Sequence, residues 1–151
     1  MADKITLAQM INAVETTLSA AASIKNSQSY NQLTEGMNDL PCLQVYPEAA
    51  NQDAQYSTDR TTFKGGCRQT SVTIFADYFA RQRSHLGEDM VQLVTGIDEI
   101  TDIFEAQDTQ PYFGLVGIKN FHWSWQRVVF TYADESIKYM GARFMIVLRV
   151  Y

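Results

Sequence analysis

An apolar residue recurs every three or four positions near the start of the chain, and this spacing predicts an amphipathic helix. Thr6 and Gln9 have the spacing of a capping box, so the helix is expected to begin after Thr6 and to run to about Ser23. Its apolar face is predicted to pack in the core. The residues of that face are Leu7, Ile11, Val14, Leu18 and Ala21.

A second stripe with helical spacing predicts a long helix that starts at about Glu88, where acidic side chains suit the positive end of the helix dipole. The apolar stripe consists of Met90, Leu93, Val94, Ile97, Ile100 and Phe104. Four carboxylates lie on the opposite face, and we interpret them as a solvated surface rather than as a metal or acid–base site. They are Asp98, Glu99, Asp102 and Glu105.

Alternating apolar and polar residues predict strands between and after the two helices. A short strand at residues 43–46 is expected to stop at Pro47, and a longer one at residues 68–78 is expected to end before a polar break at 80–87. Further strands are predicted at residues 114–118, 121–132 and 139–151, and polar residues at 133–136 predict a hairpin between the last two.

Three polar or glycine-containing stretches are predicted to connect these elements. Residues 25–40 and 48–60 are expected to be loops, and Gly65 with Gly66 is expected to form a tight turn. The second of these loops is a natural place for contacts to a neighbouring subunit, although surface disorder explains its composition equally well.

Both faces of the last predicted strand carry apolar residues, so its second face is expected to be covered by the chain itself or by a neighbour. The order of elements predicts an α+β fold, with a mainly antiparallel β-sheet packed against two α-helices and a long C-terminal β-hairpin. With 151 residues, 46% of them hydrophobic, the chain is expected to form a single domain over residues 1–151.

Composition narrows the classes of function. A formal charge of -5 argues against a protein that grips nucleic acid through a broad basic face. No apolar run reaches the roughly 20 residues of a membrane-spanning helix, and no signal-peptide pattern opens the sequence, which predicts a cytosolic protein. Cys42 and Cys67 have no metal-ligand spacing and are expected to be reduced thiols.

No motif in the sequence predicts catalysis, cofactor binding or metal binding. His85 lies in a polar linker and His122 in a strand, and neither has a partner at the spacing of a metal motif or of a catalytic triad. There is no G-x-S-x-G motif around a serine and no glycine-rich phosphate loop. We therefore expect no catalytic residues, no cofactor and no metal.

An aromatic stripe runs along one predicted strand. Phe121, Trp123 and Trp125 alternate on one face and Arg127 continues that face, as in platforms that stack single-stranded nucleic acid. Such platforms usually lie in a basic groove, and this chain is acidic. We interpret the aromatic residues as core or subunit contacts.

The segment SIKYMGARFMIVLRVY at residues 136–151 resembles the closing strand of bacteriophage tail terminator and tail completion proteins. The order of elements is similar as well: a helix at residues 5–22, a strand at 69–78, a helix at 88–105 and paired strands at the end. The likeness covers most of the chain as architecture and about a dozen residues as sequence.

This resemblance implies a ring, commonly a hexamer, that caps the head-proximal end of the tail tube, stops its polymerisation and meets the head connector (stopper) protein. Its partners would be other copies of the chain, the tail tube protein and the connector, with DNA passing through the lumen unbound. Such a protein is assembled in the host cytoplasm and resides in the virion. The candidate subunit-interface residues are Trp123, Trp125, Arg143, Met145 and Arg149.

Three other functions fit the sequence. A different head-to-tail joining protein would share the architecture. A small ligand-binding or enzymatic domain would have its pocket near His122, Trp123 and Tyr132, between the helices and the sheet. Single-stranded nucleic-acid binding would use Trp123 and Trp125.

Overall fold

The computed structural model describes residues 5–31, 41–52, 70–82, 86–131 and 138–150 of the chain. The elements in that part are α1 (Leu7–Leu18), β1 (Asn26–Gln28), β2 (Cys42–Gln52), β3 (Thr70–Gln82), α2 (Leu86–Glu105), a 3-10 turn (Tyr112–Gly114), β4 (Ile118–Thr131) and β5 (Lys138–Val150). The fold is α+β, as the sequence predicts. No helix in the described ranges is long and apolar enough to cross a membrane.

The strands form a five-stranded mixed sheet in the order β1-β2-β3-β5-β4. Only the short β1 runs parallel to its neighbour, and the other three pairings are antiparallel. β4 and β5 pair from Ile118 opposite Val150 to Thr131 opposite Lys138, while residues 133–136, predicted to turn between them, lie outside the described residues. The strands β3 and β5 occupy the centre of the sheet, and β1 and β4 lie at its two edges.

Both helices cover the same face of the sheet, which we call the helix face. α1 packs against β2, and α2 packs against β3 and β5. Alternate residues of the central strands point into this layer because successive side chains of a strand face opposite ways. The buried strand residues here include Val72, Ile74, Ala76 and Tyr78 of β3 and Met140, Ala142, Phe144, Ile146, Leu148 and Val150 of β5.

The predicted capping box at the start of α1 is confirmed, with the Gln9 backbone N–H donating to Thr6 Oγ1 and the Thr6 N–H donating to Gln9 Oε1. The helix ends at Leu18, before the predicted end near Ser23. Ser19 Oγ donates to the carbonyl of Thr16 at 2.7 Å, and side-chain bonds of this kind compete with the helical backbone bonds. Apolar spacing continues past this point, since Ala21 is buried outside the helix.

The long predicted helix is confirmed as α2, which begins at Leu86 rather than Glu88. Leu93, Ile97, Ile100 and Phe104 are buried, whereas Val94, assigned to the same stripe, is exposed at the flank of the helix. The predicted solvated face is confirmed for Asp98, Asp102 and Glu105, which are exposed. Glu99 differs because its Oε2 accepts the Ser23 N–H at 2.8 Å.

β2 corrects the predicted strand at residues 43–46, because the strand does not stop at Pro47 but continues to Gln52. The pairing with β3 shifts register between Pro47 and Ala49. A β-bulge is one of the few places in a strand that tolerates the missing N–H of proline. Residues 48–52 of the predicted loop therefore belong to the sheet, and residues 53–60 lie outside the described residues, as do Gly65 and Gly66.

Two predicted connecting segments and one predicted strand are wrong in part. Residues 26–28 of the predicted loop form β1, and β3 continues through the predicted polar break to Gln82. The predicted strand at residues 114–118 is a turn except for Ile118, which begins β4. In the 3-10 turn Tyr112–Gly114, Phe113 adopts φ 53° and its ring lies next to Phe104 and Phe121. β4 then runs unbroken from Ile118.

Tyr78 fixes the distance between α2 and the sheet. Its ring lies directly under Gly96, where a Cβ atom would clash with the phenol. Glycine in the middle of a helix costs about 1 kcal/mol relative to alanine, and here this cost permits the close approach. The hydroxyl of Tyr78 is buried and has no hydrogen-bond partner in the described part of the chain.

We predict that Tyr78→Phe stabilises the fold by about 1 kcal/mol, because it removes a buried hydroxyl that makes no hydrogen bond and keeps the ring. Urea unfolding at neutral pH measures the change. Gly96→Ala alters the same contact from the side of α2, and it should destabilise the fold because the added methyl group would clash with Tyr78. A loss of stability in Tyr78→Phe would contradict the unbonded state of the hydroxyl.

Alkaline pH should enlarge this difference. Burial, and secondarily the carboxylate of Glu99, raises the pKa of Tyr78 to about 12. An unfolded tyrosine ionises near pH 10, so between pH 10 and 12 the unfolded state binds fewer protons and the wild-type fold loses stability, by about 2–3 kcal/mol at the upper limit. Tyr78→Phe lacks this contribution. Unfolding free energies of both proteins at pH 8, 10 and 11.5 should diverge as the pH rises.

Candidate interaction surface

The aromatic stripe predicted on one strand lies on β4, at the edge of the sheet. Phe121, Trp123, Trp125 and Arg127 share the helix face of β4, because they pair with the helix-face residues Leu148, Ile146, Phe144 and Ala142 of β5. The helices cover β2, β3 and β5 and do not extend fully over β4. Burial therefore decreases along the stripe from Phe121 to Arg127.

The two tryptophans lie in different environments. Trp123 is half-buried, and its ring stacks on Phe104 of α2 with centroids 5.4 Å apart and an interplanar angle of 16°. Trp125 is 47% exposed, and Val129, two alternations further on, is 39% exposed. An indole with this exposure on an edge strand is typical of a contact that another chain completes.

The other three predicted interface residues lie on the opposite side of the sheet, which we call the second face. Arg143, Met145 and Arg149 alternate with the core residues of β5, as predicted for the last strand. Met145 is exposed, whereas Arg143 and Arg149 are half-buried. The five candidate residues thus form two groups, one on the helix face of β4 and the other on the second face of the neighbouring strand β5.

A row of polar side chains crosses the second face from one edge of the sheet to the other. The backbone register aligns Gln28 with Gln44, Gln44 with Asp77, Asp77 with Arg143, and Arg143 with Gln126. Gln44 Nε2 donates to Gln28 Oε1 at 2.9 Å. Polar residues in such positions are buried at low cost only when they bond to one another.

Asp77 is the centre of this row. It is 4% exposed, and its carboxylate accepts from Arg143 Nε at 2.9 Å, from Arg143 Nη2 at 3.3 Å and from the hydroxyl of Tyr46 at 2.5 Å. The guanidinium also lies 4.9 Å above the centre of the Phe75 ring. Burying a carboxylate is costly unless it is paired with a positive charge and accepts hydrogen bonds, and these contacts supply both.

The same contacts raise the pKa values of Tyr46 and Arg143. Burial, followed by the hydrogen bond to Asp77, raises the pKa of the Tyr46 phenol well above its ordinary value, so Tyr46 remains a donor. The hydrogen bond to Asp77 raises the pKa of Arg143 as well. Tyr46, Asp77 and Arg143 therefore form one charge-assisted network that joins β2, β3 and β5.

The polar row divides the second face into two regions. On one side Cys42, Phe79, Phe130 and Tyr139 form a small buried cluster, so the thiol of Cys42 is not accessible. On the other side the sheet is more open, and Met145 is 38% exposed. In the first of these regions the chain itself covers the second face of the last strand, and in the other region cover by a neighbour stays a prediction.

A shallow cleft lies at the start of β4 and contains two of the three residues of the predicted ligand pocket, His122 and Trp123. It has a volume of about 320 Å³ and is lined by Gln107, Tyr112, Asn120, Phe121, His122 and Trp123. This volume is at the lower limit of small-molecule sites. Tyr132, the third predicted pocket residue, and His85 lie outside the described residues.

No set of three His, Cys, Asp or Glu side chains within the described ranges is placed to hold a metal ion. His122 is exposed on the second face, on the opposite side of β4 from Trp123. Sequence reasoning missed the network of Tyr46, Asp77 and Arg143. The available signal was Asp77, the only acidic residue in β3 and β5, together with Arg143 near the middle of β5.

Comparison with known proteins gives no family assignment, since neither a protein-family model nor a curated protein matches the chain.

We predict that Tyr46→Phe destabilises the fold by about 1–2 kcal/mol, because Asp77 loses a short charge-assisted hydrogen bond. Tyr30→Phe is the matched control, since Tyr30 is 40% exposed, and it should leave the free energy of unfolding unchanged. Urea unfolding of the three proteins measures both effects. Equal stability of Tyr46→Phe and wild type would exclude a stabilising role for this bond.

Proposed function

We propose that the chain is the subunit of a phage or prophage tail terminator, a ring that caps the tail tube, stops its polymerisation and joins it to the head. The observation that carries the proposal is the pair of unlike open edges of the sheet. β4 is unpaired on its outer side within the described residues, and on the opposite edge β1 pairs only with Cys42–Gln44 of β2.

Two sheet edges that differ from each other are compatible with a closed ring of subunits. A contact between two different surfaces of the same subunit is head-to-tail, and repetition of such a contact generates a cyclic assembly when the rotation closes. Six copies are the number that the resemblance to tail terminators implies. In this proposal β4 and β5 form the long C-terminal hairpin of the family, and β4 presents Trp125 and Val129 to a neighbour.

Charge supports the proposed path of DNA. The chain carries a formal charge of -5, and on α2 the exposed carboxylates Asp98, Asp102 and Glu105 lie together on one helix face. An acidic protein repels phosphates, so DNA would pass through the lumen without specific binding. The role is structural, with the tube protein and the connector as partners.

The test is to add the purified protein to the tail tube protein of the same virus during polymerisation. We expect tubes of reduced length with the protein at one end, together with a solution mass of about six chains by light scattering. Tubes that grow without limit, with the protein bound instead to the portal or connector, would favour a different joining protein. Untouched tubes and untouched connectors would overturn the proposal.

A further inference from the structure

We draw no further inference here: the strongest candidate, the mainly apolar groove of about 390 Å³ between the start of α1 and the β2 side of the sheet, lined in part by Leu7, Met10 and Ala50, carries nothing because no feature of the described residues shows what covers it.

Discussion

The burial of β3 and β5 beneath α2 is the constraint on which the rest of the structure depends. These strands have core residues at every second position, so their register is fixed by the need to keep that set on the helix face. Tyr78 then sets how closely α2 approaches, and Gly96 is the residue that permits it. With the centre fixed, β4 and most of β2 have one side without a paired strand in the described part of the chain.

The sequence alone was sufficient to predict the helices and strands that bury one face in the core. The capping box at Thr6 follows from the spacing of Thr6 and Gln9, whereas the alternation along β5 and most of the core stripe of α2 follow from a repeating apolar pattern. Predictions failed where a local exception decides the structure. Pro47 is accommodated next to a register shift, and α1 ends at Leu18, where Ser19 bonds to the carbonyl of Thr16.

The candidate site was predicted less completely than the fold. Trp123, Trp125, Arg143, Met145 and Arg149 were chosen because they alternate on strands, and alternation alone cannot show which face is left uncovered. Trp123 proved to be stacked on Phe104, and Arg143 proved to be committed to Asp77. Both contacts join residues far apart in sequence, and nothing in the local pattern specifies them. Trp125 remains as the exposed aromatic member of the set.

The carboxylate of Asp77 has a consequence for how the protein can change shape. Its bonds to Tyr46 and Arg143 tie β2, β3 and β5 into one unit across the middle of the sheet. β4 lies outside this unit and is held by its backbone pairing with β5 and by the side chains of Trp123, which stacks on Phe104, and Phe130, which packs on Phe79. The exposed side chains of β4, Trp125, Arg127 and Val129, make none of these bonds, so a change in their positions would leave the unit around Asp77 intact.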